Sequence, residues 1–290
     1  MTRQSRPAPP KQVPNIPGEP LIAFQDVRIG FDHGDVLRGI SFEVQHGETT
    51  VLLGESGSGK TLILKLAAGL IHADAGRISV MGRDLGEMPE KELLDFRRHL
   101  GFVFQEGALF DSLTVAENVC FRLREEGVAD EEIDQRVRET LRFVEMESAV
   151  DKFPAELSGG MRRRVSIARA LVDRPRVVLY DSPTAGLDPV TSQTIIMLIL
   201  RGRDSQGVTS LLVTHRVQDA FGLAKFRLEP GTDRVVRVDG NGARPADHAE
   251  AAPPTKILVL REGRFYFQGS ADEVLHSADD YLKRFLVSAE

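Results

Sequence analysis

The chain has a single cysteine, Cys120. No intramolecular disulfide can form, which excludes the disulfide-stapled secreted class and fits a reducing compartment. Cys120 itself reads as a small buried apolar residue. Long apolar runs are also lacking. The longest candidate, Ile195–Leu200, falls far short of the roughly 18 residues a membrane span needs. No apolar segment follows Arg3, Arg6 and Lys11, so a secretory signal is not expected. There is no excess of positive charge: 37 Lys and Arg face 43 Asp and Glu, a net charge of −6. That balance argues against a general nucleic-acid binder. No segment repeats internally.

What is present fits a globular chain. With 290 residues, 41% hydrophobic and 28% charged, it is long enough for one large α/β domain with appendages. Residues 1–19 are proline-rich with few apolar side chains and read as a disordered tail. Leu21–Ile29 and Ile40–Val44 alternate apolar and polar residues, which predicts an antiparallel β-layer. Thr49–Leu53 predicts a short strand, Gly54 opens a glycine-rich turn, and Thr61–Leu70 carries apolar residues at helical spacing. Strands are expected over Arg77–Met81 and Gly101–Gln105, and helices over 87–98, 113–126 and 130–146. A helical subdomain is therefore expected over about 106–165.

Val177–Tyr180 and Ser210–Thr214 are continuous apolar or small-residue runs, as expected for strands buried on both faces of a parallel sheet. Helices predicted over 189–201 and 216–225 alternate with them, which is the pattern of βαβ units. Residues 228–255, rich in Gly, Pro, Ala and Asp, read as an inserted loop with one short strand at Arg234–Val238. Strands at Ile257–Leu260 and Arg264–Gln268 and a helix over 279–287 complete the expectation.

Two motifs carry chemistry. Gly54-Glu55-Ser56-Gly57-Ser58-Gly59-Lys60-Thr61 fits the phosphate-binding loop pattern and stands between a strand and a helix, as that loop requires. Its glycines let backbone N–H groups face phosphate oxygens, and the helix N-terminus favours an anion. Lys60 suits the β- and γ-phosphates and the Thr61 hydroxyl suits Mg²⁺. Asp181, at the end of the apolar run Val177–Tyr180, is placed as a second magnesium residue.

With these in place the chain resembles the ABC ATPases. Leu157-Ser158-Gly159-Gly160-Met161 is similar to their signature, and the resemblance spans about residues 21–227 and 256–288. It implies a P-loop NTPase of ABC type: a mainly parallel core sheet, an antiparallel β-layer and a helical subdomain, within an ATP-binding domain over 20–290. It also implies roles for single residues. Gln105 resembles the Q-loop glutamine, contacting Mg²⁺ and the attacking water. Asp188, in Ala185-Gly186-Leu187-Asp188, resembles the D-loop aspartate. His215 resembles the switch histidine, and Phe31 is the candidate for stacking on adenine. Ser158, Gly159 and Gly160 would meet the γ-phosphate bound by a second copy of the chain, so that ATP joins two copies head to tail. Arg162–Arg164 are expected to form the solvated and interface face of the signature helix.

Phe104–Val119, Leu157–Arg164 and Asp280–Leu286 further resemble the Mla-type ATPases of MCE lipid transporters. That resemblance implies phospholipid transport, an integral-membrane permease, MCE and STAS-type subunits, and a cytoplasmic site on the inner face of the membrane. One departure is plain. The family places a glutamate after the Asp181 equivalent to orient or deprotonate water, and here that residue is Ser182. A hydroxyl can hold a water but is a poor proton acceptor at neutral pH.

Overall fold

The computed structural model describes residues 19–32, 34–229, 231–232, 234–237 and 255–288. The expected tail, all but Glu19, lies outside them, as do residues 230, 233 and 238–254 of the expected inserted loop. The strands are β1 (Ile22–Phe31), β2 (Gly34–Val44), β3 (Thr49–Gly54), β4 (Ala75–Val80), β5 (Arg83–Asp84), β6 (Leu100–Val103), β7 (Val177–Asp181), β8 (Thr209–Thr214), β9 (Phe226–Leu228), β10 (Val235–Arg237), β11 (Thr255–Arg261) and β12 (Arg264–Gly269). The helices are α1 (Lys60–Ala67), α2 (Glu90–Arg97), α3 (Val115–Glu125), α4 (Asp130–Phe143), α5 (Gly159–Leu171), α6 (Pro189–Gln206), α7 (Val217–Lys225), α8 (Ala271–Leu275) and α9 (Asp280–Ser288).

A six-stranded sheet runs in the order β12-β11-β3-β8-β7-β6. Every neighbouring pair from β11 to β6 is parallel, and β12 is antiparallel to β11. Its strands alternate between two cores with the two-residue period of the pleat. Val51, Leu53, Val178, Tyr180 and Leu212 join a core with α3 to α7. Leu52, Val177, Leu179, Leu211 and Val213 join one with α1 and the second sheet. That second sheet is the antiparallel layer, ordered β2-β1-β4-β5. Burial on both faces explains why β3, β7 and β8 read as unbroken runs rather than alternating ones.

The departures from expectation have local causes. β2 begins at Gly34 rather than Ile40, because a register shift between Val27 and Arg28 of β1 accommodates the irregular stretch before Ile40. β6 stops at Val103, since the Phe104 carbonyl accepts from Gly107 N at 2.9 Å and the chain turns there. The unexpected α8 starts with a capping box, Ser270 with Glu273, a spacing visible in the sequence.

α6 runs on to Gln206, past the expected end at 201, and stops at Gly207 with φ 65°. Past the expected end the side chains of Arg203 and Asp204 are buried and paired, Arg203 Nε lying 2.6 Å from Asp204 Oδ1. Arg203 also donates to the Leu223 and Phe226 carbonyls and to Thr255 Oγ1 at 2.9–3.1 Å, while Asp204 accepts from Leu228 N at 2.7 Å. The ion pair therefore fastens the chain on both sides of the expected loop to α6. Within that loop β10 pairs antiparallel with β9.

Removing one partner of a buried pair strands the other charge, at about 3–5 kcal/mol. Arg203→Met is expected to lower the unfolding free energy by about that amount, read as a lower urea midpoint with an unchanged slope. A loss below about 1 kcal/mol would contradict the anchoring role.

Candidate functional site

The register of the parallel sheet builds the site. Leu53 pairs with Thr214, Val213 with Asp181, and Tyr180 with Val103. The carboxyl ends of β3, β8, β7 and β6 are therefore level and adjacent. The loops that follow them carry Gly54–Thr61, His215, Ser182–Asp188 and Gln105. Open α/β sheets place their ligand sites at this edge.

In the first loop Gly57 and Gly59 adopt φ of 80° and 100°, a region that side chains rarely tolerate. Gly59 caps α1 without any side-chain acceptor, so the first-turn N–H groups stay available to an anion. Behind it stand Leu37 and Val36 of β2, 3.1 Å from where a Gly59 Cβ would lie. This brings the start of β2 against the loop. Phe31, which pairs with Gly34 at the same turn, is 59% exposed. The Lys60 ammonium is buried and donates to the Gly54 and Glu55 carbonyls at 2.8 and 2.7 Å. Burial holds its pKa below the ordinary lysine value, opposed by the Asp181 and Glu55 carboxylates. Neutral carbonyls are weaker acceptors for an ammonium than phosphate oxygens, so these contacts hold Lys60 ready without competing strongly for it.

Asp181 is buried at the end of β7 and accepts from Ser182 Oγ at 3.2 Å. Ser182 turns sharply, with φ 45°, and its N–H donates to the Val213 carbonyl at 2.8 Å. Gln105, His215, Thr61, Glu55, Ser56 and Gly57 are exposed around this edge, while Ser58 is half-buried. The donor set for a cation, the Thr61 hydroxyl, the Gln105 amide and the Asp181 carboxylate, is all oxygen. Among the described residues no cluster of three metal-binding His, Cys, Asp or Glu side chains occurs. Those donors fit Mg²⁺, which is held by one or two carboxylates and substrate phosphates rather than a protein cage.

The signature residues lie on the D-loop side. Ser158 caps α5 by accepting from Met161 N at 3.2 Å, and Gly159 is exposed. A Cβ on Gly159 would meet Leu187 Cδ2 at an ordinary 3.6 Å, whereas one on Gly160 would strike Thr191 Cγ2 at 2.3 Å. Asp188 spends its carboxylate on capping α6, accepting from Thr191 N at 3.0 Å and Thr191 Oγ1 at 2.5 Å. These bonds hold its pKa below the ordinary aspartate value.

The expectation of a solvated face for Arg162–Arg164 holds at Arg162, which is exposed, and is corrected at Arg163, which is buried, with Arg164 half-buried between solvent and protein. All three donate to backbone carbonyls: Arg162 to Leu157, Arg163 to Phe104, and Arg164 to Glu145. Arg163 is only 6% exposed. Two further groups escaped the sequence reading. Arg169 donates to the Gly107 and Ala108 carbonyls at 3.0 and 2.7 Å. Asp219, buried, accepts from Thr184 Oγ1 at 2.5 Å and Thr214 Oγ1 at 2.9 Å, and burial raises its pKa. For Asp219 the available signal was its place on a helix whose apolar Val217, Ala220 and Leu223 are buried with it.

Lys60→Ala removes the one buried ammonium of the phosphate loop. Tight MgATP binding is expected to disappear, read by titration with a fluorescent ATP analogue; an unchanged affinity would contradict the assignment.

Comparison with known proteins agrees with this geometry. The family model described as ABC transporter matches residues 37–185. The methionine import ATP-binding protein MetN of Rhizobium johnstonii is 38% identical over 221 residues, 76% of this chain and 59% of its own length. The chain thus spans less than two thirds of that relative. The Arabidopsis thaliana protein TRIGALACTOSYLDIACYLGLYCEROL 3, chloroplastic, is 39% identical over 283 residues, 91% of this chain and 73% of its own length. An ATP-binding cassette solved as a dimer in a post-hydrolysis state with ADP and Pi superposes with a TM-score of 0.70 at 26% identity, covering 86% of this chain and 98% of that one. A phosphate loop, a buried Asp181 and a capped signature helix on one sheet edge, together with a family match over half its length, mean that this chain belongs to the ABC transporter family, in its ATP-binding part.

Proposed function

We propose that the chain is the ATP-binding, energy-coupling subunit of an ABC transporter that moves phospholipids together with a membrane permease and an MCE protein. The observation that carries the ATP reading is the level edge where Lys60, Asp181, Gln105 and His215 emerge from adjacent parallel strands. The lipid reading rests on the stretches Phe104–Val119, Leu157–Arg164 and Asp280–Leu286, and a relative named for a galactolipid is consistent with it. MetN, whose name specifies methionine import, marks the competing substrate class. Among the described residues no helix is long and apolar enough to cross a membrane. The expected domain division, with a helical subdomain over about 106–165, is part of the same proposal.

In this reading the loop N–H groups and Lys60 bind the phosphates, Thr61, Gln105 and Asp181 hold Mg²⁺, and His215 faces the γ-phosphate. Bound Mg²⁺ neutralises phosphate charge. Phe31 stacks on adenine from the β1–β2 turn. Ser158–Gly160 reach the nucleotide of a second copy, as the dimeric relative with ADP and Pi supports. A second reading, an ATP-gated subunit with little hydrolysis, is favoured by Ser182: its hydroxyl is bonded to Asp181 and no carboxylate follows that residue.

The exposed Gly159 separates charge from packing, because a side chain there meets no clash while one at Gly160 does. Gly159→Asp is expected to stay folded and monomeric with MgATP, where the unaltered chain dimerises, as read by light scattering. An ATP-induced dimer of Gly159→Asp would contradict contact in trans.

Ser182 and the substrate are tested on the assembled complex in vesicles. Phospholipid, not methionine, is expected to raise ATP turnover. Ser182→Glu is expected to speed hydrolysis, since a general base contributes about 10²–10⁴-fold. Brisk turnover that Ser182→Glu leaves unchanged would remove the second reading, and stimulation by methionine would remove the lipid reading.

A further inference from the structure

We propose that Arg163 is a positioning residue whose guanidinium fork clamps the Q-loop to the D-loop within one subunit, so that the two loops move as one body with the signature helix. The proposal deepens the function proposed above, since it concerns the loops of the same site.

The geometry is specific. Arg163 sits on the first turns of α5 and is buried. Nη1 donates to the Phe104 carbonyl at 2.6 Å, and Nη2 reaches the Ala185 carbonyl at the longer distance of 3.5 Å. Phe104 precedes Gln105, and Ala185 opens the segment leading to Asp188. Only a planar fork presents two donors in fixed relation to two acceptors. Burial pulls the Arg163 pKa down, opposed by the Asp181 and Glu106 carboxylates, so the same side chain lies within electrostatic reach of the magnesium aspartate.

Neighbouring contacts make the clamp one of several fixed points. Arg169, further along α5, holds the Gly107 and Ala108 carbonyls, so the Q-loop hangs on the signature helix at three carbonyls. On its far side the D-loop is held by Arg216, whose Nη1 donates to Ser192 Oγ at 2.9 Å and to the Thr184 carbonyl at 3.3 Å. Among these contacts Arg163 alone joins Q-loop to D-loop. Without it each loop keeps its other anchors and loses the link between them. Both contacts are part-buried, and a bond from a charged donor to a carbonyl is stronger than a neutral one, so the fork resists local opening.

Hydrogen exchange on the full chain tests this without relying on hydrolysis. The Gly107 N–H bonds to the Phe104 carbonyl and the Ala185 N–H to the Ser182 carbonyl, so both loops carry a protected amide. In Arg163→Met both amides are expected to exchange roughly 10-fold faster, in step with each other, while amides of β7 and β8 keep their protection. Arg163→Lys keeps the charge without the fork and is expected to behave like Arg163→Met. On the assembled complex kcat is expected to fall about 10-fold with the nucleotide Kd unchanged. Faster exchange throughout the domain would mean a merely structural arginine, and unchanged exchange at either loop would mean no clamp. Wild-type exchange in Arg163→Lys would assign the effect to charge alone. Each of these three results overturns the proposal, and the exchange experiment stands even if the chain hydrolyses no ATP.

Discussion

Everything in the site depends on the in-register parallel pairing of β3, β8, β7 and β6. Parallel strands need both faces covered, and the two cores supply that cover, one from α1 and the antiparallel layer, the other from α3 to α7. Because the side-chain period is two residues, a slip of one would exchange the two cores strand by strand. The register is therefore fixed by burial. Level strand ends then follow, and with them the meeting of Lys60, Asp181, Ser182, Gln105 and His215 along one edge.

On this frame the loops are held mainly by arginines donating to backbone carbonyls. Arg97 holds Ala68 and Gly69, Arg163 holds Phe104, Arg169 holds Gly107 and Ala108, and Arg203 holds Leu223 and Phe226. A bond to a charged group contributes about 1.5–3 kcal/mol net, against about 1 for a neutral one. An exposed ion pair such as Arg28–Asp26 contributes about 0–1 kcal/mol. These cation–carbonyl contacts, most of them part-buried, therefore do more to decide where the loops stand than the many surface pairs do.

Ser182 shows how local geometry and chemistry part company. The backbone there takes a left-handed turn with φ 45°, held by the Val213 carbonyl. The position thus faces the site edge whatever its side chain. The hydroxyl bonds to Asp181 and can orient a water, but its proton affinity is too low for it to act as a base at neutral pH. Phosphate binding by the loop and Lys60 does not draw on that residue, so binding and hydrolysis are separable here on structural grounds.

Much of the molecule was legible before folding. The phosphate loop, the Asp181 strand, the capped signature helix and the period of each strand are local patterns, set by glycine conformations, caps and the alternation of buried residues. The register shift in β1 was not legible, nor was the extension of α6 through Arg203 and Asp204. The same holds for the burial of Arg163, read from the sequence as a solvated residue. An arginine in a sequence carries no mark of whether a carbonyl from a distant loop will meet it, and Phe104 lies 59 residues away from Arg163 along the chain. The sequence by itself determined which backbone can bind phosphate and which strand carries the acid. Tertiary structure alone decided which charges are buried and what they hold, because the acceptors come together only when the parallel sheet closes.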